Sequence, residues 1–163
     1  MEDQLIPRFF DKAMIERAYP IVRTLAPGVT LERWVQFARP QITSRSSEWP
    51  HGLMAIQNPS GYILGWFAFE VRDDLHETRI LAISNIVVPD IPGRDQVGRS
   101  ILKASEHLAT SHGCRAIRAE LNNEIDPGDC DRAWLSTTLI SCGYSLGGAR
   151  AFKRLTGSFP GTH

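Results

Sequence analysis

Residues 86 to 102, IVVPDIPGRDQVGRSIL, join a β-branched apolar run to a helix-like stretch through a loop that contains two glycines. The start of a helix exposes unpaired backbone N–H groups and the positive end of the helix dipole, so it attracts anions and phosphates in particular. Gly93 and Gly98 lie where a chain must bend sharply and let its backbone approach a ligand closely. The stretch therefore has the composition of a phosphate-binding loop.

Polar side chains in the same stretch could complete such a site. Arg94 and Arg99 could offer forked donors to phosphate oxygens, Gln96 an amide and Ser100 a hydroxyl in the first helical turn. The alternative is a turn followed by a well-started helix whose arginines are solvated. The spacing alone does not choose between them, because the dinucleotide-binding and Walker patterns are both absent.

The elements that must position this loop follow from the period of the apolar residues. The predicted order is helix, helix, three strands, helix, strand, helix, strand. The corresponding segments are 9–20, 30–40, 53–57, 62–72, 78–88, 97–112, 114–121, 132–141 and 144–155. Pro20 and Pro40 are expected to end the first two helices. Thr30 is expected to cap the start of the second helix, and Gly113 to end the helix at 97–112 in a left-handed conformation.

The fold class that this order predicts is α/β or α+β, with a mixed, mostly antiparallel sheet. Asn58-Pro59-Ser60-Gly61 fits a type I turn, so the first two predicted strands should form a hairpin. The strand, helix, strand unit at 78–121 should bring one parallel pair. At 163 residues, we expect positions 1–163 to form a single domain.

Composition excludes several classes of protein. Eighteen basic and eighteen acidic residues give a formal net charge of +0, which argues against nucleic acid as a partner. Cys114, Cys130 and Cys142 have no C-x-x-C spacing and the five histidines are scattered, so no metal site is predicted and free thiols are expected. No apolar run resembles a signal peptide or a membrane span. We therefore expect a soluble, cytoplasmic protein with no membrane partner.

The order of elements together with this loop resembles the GNAT superfamily of acyl-CoA-dependent N-acyltransferases. In that family a valine-rich strand ends near a proline and leads into a Q/R-x-x-G-x-G/A loop and a helix. Val87 and Pro89 match the end of the strand, Gly98 matches the second glycine, and Gly143-Tyr144 resembles the glycine-aromatic pair after the family's last helix. The sequence departs from the pattern at Gln96, where the first glycine is usual, and the loop is one residue longer.

The resemblance implies acetyl-CoA as cosubstrate and a sheet splayed at its fourth and fifth strands. A bulge near the end of the fourth strand would free backbone groups that pair with the pantetheine amides, as an added strand would. The loop and the start of the helix would hold the diphosphate. The cofactor-binding residues that this implies are Ile86, Val87, Val88, Arg94, Gln96, Val97, Gly98, Arg99 and Ser100. Gly98→Glu is expected to abolish binding and leave folding largely intact.

The resemblance leaves the catalytic residues unknown. The family's usual tyrosine acid corresponds to Leu139, which cannot transfer a proton. Glu70, Ser84 and Asn85 are candidates for accepting the proton of the amine, directly or through water. Trp49 and His51 could border an acceptor pocket, and Cys142 lies near the expected thiol end; packing and surface roles are the alternatives for all three.

Two functions follow from these residues. The first is an N-acetyltransferase that moves an acetyl group from acetyl-CoA to a primary amine by direct attack, with proximity supplying much of the catalysis. The acceptor would be a small molecule or a peptide, and the chain could form a homodimer. The second is a catalytically silent acyl-CoA-binding or protein-interaction domain, which Leu139 and Gln96 favour.

Overall fold

The computed structural model describes residues 4–43, 50–121 and 128–155. Within these ranges seven strands alternate with four helices. In chain order they are β1 (Ile6–Phe9), α1 (Lys12–Leu25), α2 (Leu31–Thr43), β2 (His51–Gln57), β3 (Ile63–Asp74), β4 (Thr78–Val87), α3 (Arg94–Ser111), β5 (Ala116–Glu120), α4 (Gly128–Ser141), β6 (Ser145–Gly147) and β7 (Arg150–Arg154). Trp49 and Cys130, both named from the sequence, are not among the residues whose side chains are described.

The described strands form one mixed sheet in the order β1-β2-β3-β4-β5-β7-β6. Neighbouring strands are antiparallel except β4 and β5, which are parallel and connected through α3. This confirms the fold class expected from the sequence. The two strands of the C-terminal segment are short, because Gly148, with φ of +62°, turns the chain between β6 and β7.

The predicted start of the chain was wrong, because a strand precedes the first helix. Strand β1 pairs with β2 from Ile6 opposite Gln57 to Phe9 opposite Met54. It is an edge strand of four residues, and Pro7 leaves it without the alternation that identifies a strand. Its conformation depends on pairing with β2 rather than on local propensity.

The predicted ends of the first two helices were also wrong. Helix α1 continues past Pro20 to Leu25, and α2 continues past Pro40 to Thr43. Proline inside a helix removes one backbone hydrogen bond and usually breaks or kinks it. The apolar stripe of α1 nevertheless continues beyond the proline to Val22, which is fully buried, so packing outweighs the lost bond.

Other local predictions are confirmed. Thr30 caps α2, because the N–H of Arg33 donates to Thr30 Oγ1 at 3.2 Å. The N–H of Gly61 donates to the Asn58 oxygen at 2.9 Å, which closes the predicted turn between β2 and β3. Gly113 has φ of +69°, as expected of a left-handed residue just after α3.

The two faces of the sheet carry different helices. Helices α1 and α2 cover one face, where Trp34 and Trp66 pack together with ring centres 4.8 Å apart. Helices α3 and α4 cover the other face, over a larger cluster that contains Phe67 and Ile101. Among the described helices, none is long and apolar enough to cross a membrane.

Candidate functional site

Strand β4 contains a bulge close to its end. Ser84 lies opposite Ala68 and Val87 opposite Trp66, so two residues of β4, Asn85 and Ile86, face the single residue between these partners on β3. Asn85 has φ of +50°, a left-handed conformation that asparagine tolerates better than most residues. The extra residue reverses the alternation of side chains along β4.

The reversal is visible in the core. Before the bulge, Leu81 and Ile83 point to the face that α3 and α4 cover, whereas after it Ile86 and Val88 do so. Val87 points to the face of α1 and α2. The register confirms the bulge that the family resemblance implies at this end of the strand.

Beyond the bulge β4 separates from β5. The last paired residues of the two strands are Ile83 and Ala119. Further on, Val87 still pairs with β3, while Leu121, just after β5, donates its N–H to the Ala149 oxygen at 2.7 Å beside β7. Beyond Ile83, β4 thus stays paired with β3, while the end of β5 stays beside β7. The sheet is splayed between its fourth and fifth strands, as expected.

The backbone of Ile86 and Val88 faces this gap. The Val87 oxygen points toward β3, the strand that contains Gly65. A Cβ atom added to Gly65 would lie only 2.9 Å from this oxygen. Because successive backbone groups of a strand point to opposite edges, those of Ile86 and Val88 point away from β3 and toward β5. Gly65 is required here by the close approach of the Val87 backbone, a role that the sequence analysis missed.

The Arg94 side chain reaches into the gap. Its guanidinium donates to the Val88 oxygen from Nε at 3.2 Å and from Nη2 at 3.0 Å. The same guanidinium carbon lies 4.0 Å from the ring centre of Trp134 on α4, a cation–π distance. Trp134 in turn donates its indole N–H to Asp95 Oδ1 at 2.8 Å. Arg94, Trp134 and Asp95 therefore form a polar bridge across the mouth of the gap, which we call the Arg94 bridge.

Helix α3 begins three residues earlier than predicted, at Arg94 instead of Val97. The N–H of Val97 is occupied, because it donates to the Gly93 oxygen at 3.1 Å, and that of Arg94 donates to the Ile91 oxygen. Residues further along the helix use their N–H groups in its own hydrogen bonds. Among the described residues, the N–H groups of Asp95 and Gln96 have no partner. The unpaired N–H groups at the start of α3 thus lie at Asp95 and Gln96, nearer to the loop than the sequence suggested.

Gly98 lies in the contact between α3 and α4. A first side-chain carbon at this buried position would lie 2.9 and 3.0 Å from two ring carbons of Trp134, and 3.3 Å from Thr138. The absence of a side chain at Gly98 lets α3 and α4 pack closely. A longer side chain would press on the ring of Trp134, so we expect Gly98→Glu to cost stability, while its effect on ligand binding stays a prediction.

The remaining loop side chains lie at the outer surface of α3. Gln96, Arg99 and Ser100 line a groove of about 460 Å³ between α3 and β1. Lys103 and His107 continue the same helix face one and two turns further on. The groove therefore has a basic wall that begins at the exposed end of α3.

The motif positions on α4 and after it are core residues. Leu139 is fully buried, and Tyr144 is only 4% exposed. Burial raises the pKa of the Tyr144 phenol, to which Glu106 contributes less, and its hydroxyl has no hydrogen-bond partner among the described residues. Tyr144 thus packs as the aromatic of the glycine-aromatic pair. Leu139 has no proton to transfer, and the raised pKa of Tyr144 makes its phenol a weaker acid than a solvent-exposed tyrosine.

The other candidates from the sequence are spread over the sheet. Ser84 is half-buried at the start of the gap, whereas Asn85 is buried in the bulge itself. Glu70 is exposed and accepts a hydrogen bond from Arg72 Nε at 3.0 Å. His51 lies opposite Glu70 in the register, and Cys142 is half-buried just after α4.

A carboxylate that the sequence analysis did not consider lies beside Ser84. Glu120 directly follows Ala119, whose partner Ile83 directly precedes Ser84, so both side chains lie where the parallel strands separate. Three arginines surround Glu120 within 3.6 Å: Arg72, Arg118 and Arg150. The alternation in CRAIRAEL could have shown that Glu120 shares a face with Arg118, but not that this face meets the gap.

Comparison with known proteins supports this architecture. No family model and no curated protein matches the sequence. Among solved structures, the aminoglycoside N-acetyltransferase AAC(6')-Iy in complex with CoA superimposes with a TM-score of 0.68 at 12% identity, covering 99% of this chain and 98% of that one. A GCN5-related N-acetyltransferase from Kribbella flavida gives 0.67 at 16% identity, covering 93% and 98%.

A third structure, glucosamine-6-phosphate N-acetyltransferase from Arabidopsis thaliana, gives a TM-score of 0.62 at 14% identity and covers 96% of this chain and 99% of that one. The protein therefore has the fold of the GNAT superfamily of N-acetyltransferases, as its sequence predicted. Identities this low concern the fold, so the activity has to be argued from the site.

Proposed function

We propose that residues 1–163 form an acetyl-CoA-dependent N-acetyltransferase that acts on a primary amine. The observation that carries this proposal is the splay of β4 from β5, which turns the backbone of Ile86 and Val88 toward the gap at the start of α3. A ligand with spaced amides can pair with such an edge as an added strand. Pantetheine has two amides and is joined to a diphosphate, which suits the adjoining helix end.

The diphosphate would lie at the unpaired N–H groups of Asp95 and Gln96. Arg99 and Ser100 are on the same exposed side of α3 and could donate to its outer oxygens. Val97 and Gly98 would contribute through packing, since the N–H of Val97 is already used and Gly98 contacts Trp134. This modifies the set of ligand contacts expected from the sequence while keeping the same loop.

Arg94 must change partners when acyl-CoA binds. The Val88 oxygen, which a pantetheine N–H would need, accepts both hydrogen bonds from Arg94. If the guanidinium turned toward the diphosphate, the Val88 oxygen would be released. Arg94 would then donate to charged phosphate oxygens instead of a neutral carbonyl, and such hydrogen bonds are stronger. The Arg94 bridge would then act as a placeholder for the ligand.

The chemistry requires only a few groups from the protein. The neutral amine nitrogen attacks the thioester carbon, the carbon–sulfur bond breaks, and the amine loses one proton as the amide forms. Backbone N–H groups that face the gap could stabilise the developing oxyanion. Ser84 and Glu120 flank the gap and could hold a water that accepts the proton. Because Leu139 is a buried apolar residue with no acidic proton, the thiolate would take its proton from solvent.

A second function is favoured by the same Leu139 and by the Arg94 bridge. A domain that has lost the proton donor and closes its gap with an arginine could bind acyl-CoA without transferring the acyl group. Binding alone therefore does not prove the enzyme.

Calorimetry with CoA and acetyl-CoA, followed by a free-thiol assay over a panel of amines, tests both functions. If the protein is an N-acetyltransferase, we expect it to bind both ligands and to release thiol from acetyl-CoA only when an amine is present. Mass spectrometry would then identify the acetylated amine. Binding without release would support the silent domain. No heat and no thermal shift at ligand concentrations far above the micromolar range would refute both.

A further inference from the structure

We propose that the acceptor amine carries an oxyanion, a carboxylate or a phosphate, which binds to the arginines around Glu120. This inference rests on the proposed N-acetyltransferase function and names the substrate class. The cluster, which we call the arginine cluster, consists of Arg72, Arg118 and Arg150 with Glu120 between them.

The arginine cluster lies where a second substrate must approach. Helices α3 and α4 fill one face of the sheet beside the gap, so the amine has to reach the thioester from the opposite face. Arg118 and Glu120 point to that opposite face, because Ile117 and Ala119 point to α3 and α4. Helices α1 and α2 cover β2, β3 and β4 there, while the side chains of Arg118 and Arg150 remain 23% and 60% exposed.

Glu120 does not saturate the three guanidinium groups. The nitrogen–oxygen distances are 3.6 Å for Arg72, 3.4 Å for Arg118 and 3.3 Å for Arg150, all longer than the roughly 2.7–2.9 Å of a charge-assisted hydrogen bond. Arg118 Nε is buried and, despite its ion pair with Glu120, has no hydrogen-bond partner among the described residues. Each guanidinium has about five N–H donors, so most donors of the cluster remain for a ligand.

Within the part of the chain that the structure describes, the other carboxylates on this face leave an excess of positive charge near the gap. Glu70 Oε2 forms an ion pair with Arg72 Nε at 3.0 Å. Asp74 lies at the far end of β3, opposite Thr78, and accepts hydrogen bonds from the N–H groups of His76 and Glu77, although Arg118 attracts it weakly. Arg118 and Arg150 therefore share Glu120, and the one positive charge in excess among the described residues near the gap suits an acceptor with an anionic group. A polycation such as spermidine would be repelled.

Matched acceptor pairs test this inference. The panel contains amino acids and their amides, glucosamine 6-phosphate and glucosamine, and spermidine, all assayed with acetyl-CoA by thiol release. For at least one matched pair, we expect kcat/KM to be about tenfold higher for the amine that carries the oxyanion than for the amine that lacks it. One hydrogen bond to a charged group is strong enough to produce such a difference. The carboxylate and phosphate pairs separately show which oxyanion is recognised.

Arg150→Ala should remove this preference, raising KM for the anionic member about tenfold and changing the uncharged member less than about twofold. Arg150→Lys should recover part of the loss, since the charge remains without the fork. Arg154→Ala is the control, because Arg154 is on the same strand but pairs with Glu77, and the preference should persist.

Failure of this inference can be told apart from failure of the proposed function. If the protein binds acetyl-CoA and acetylates spermidine or uncharged amines best, only the oxyanion inference is overturned. An anion preference that survives Arg150→Ala overturns it as well. Binding of acetyl-CoA with no transfer to any amine overturns both the inference and the enzyme, in favour of the silent domain.

Discussion

The guanidinium of Arg94 donates two hydrogen bonds, at 3.2 and 3.0 Å, to the main-chain oxygen of Val88. The donor is on the first turn of α3 and the acceptor directly follows β4, so the contact spans the mouth of the gap between β4 and β5. In an unliganded chain it satisfies a carbonyl that the splayed sheet would leave without a strand partner. Its cost is that any ligand needing this carbonyl must displace the arginine.

Arg94→Ala is expected to change the affinity for CoA and for pantetheine in opposite directions. Pantetheine has no diphosphate, so the variant should bind it more tightly, because the Val88 oxygen is already released. CoA should bind about threefold to tenfold more weakly, because the arginine no longer reaches the diphosphate. Calorimetry with both ligands measures the two changes, and changes of the same sign would contradict the exchange of partners.

Asp95→Asn is expected to strengthen CoA binding about threefold. The Asp95 carboxylate is in the first turn of α3, next to the N–H groups proposed to hold the diphosphate, and repels it. Asparagine retains an oxygen that can accept from the indole of Trp134, so the Arg94 bridge should persist. The gain should shrink as salt is added. Weaker binding at every salt concentration would place the diphosphate elsewhere.

Gly98→Ala is expected to destabilise the protein by about 1–2 kcal/mol, because its methyl group would press on the ring of Trp134. Chemical denaturation measures the loss. Gly147→Ala is the matched control, since nothing lies within 4 Å of the added carbon there. In the background of Trp134→Leu the cost should largely disappear, and additive effects of the two substitutions would show that the rings are not the cause.

Cys114 should make stability depend on pH in alkaline solution. Burial raises the pKa of its thiol from 9.0 to about 11, whereas Arg79 lowers it to a smaller extent. The unfolded chain therefore releases this proton at lower pH than the folded chain, and the stabilisation is present below pH 9 and lost toward pH 11. Denaturation midpoints between pH 8 and 11 should fall less steeply in Cys114→Ala. An unchanged slope would show that the thiol does not contribute.

Much of the fold could be predicted because it is encoded locally. The hairpin turn at Asn58 and the cap at Thr30 depend on residues a few positions away, and both are confirmed. The prediction failed where distant contacts decide. Strand β1 exists because β2 pairs with it, and α1 continues through Pro20 because its apolar face is buried on the sheet.

The same division applies to the candidate site. The loop from Val87 to Ser100 could be predicted as a candidate anion site from its glycines, its arginines and the β-branched run before it, because a helix that follows a glycine-containing loop favours an anion at its start. The roles of Trp134 and Glu120 could not be predicted, because each lies next to residues that are distant in the chain. Trp134 contacts Gly98 and Arg94, and Glu120 lies beside Ser84.

The amino-acid sequence by itself determined the kind of fold and the position of the loop, because the periods of apolar residues and the turn residues act over short distances. Tertiary structure decided which backbone groups remain available, with Val97 committed to the helix and Val88 held by Arg94. It also decided where charge accumulates, since three arginines from three strands meet at one carboxylate. Hydrogen bonds and charges act between atoms close in space, and only the folded chain brings those atoms together.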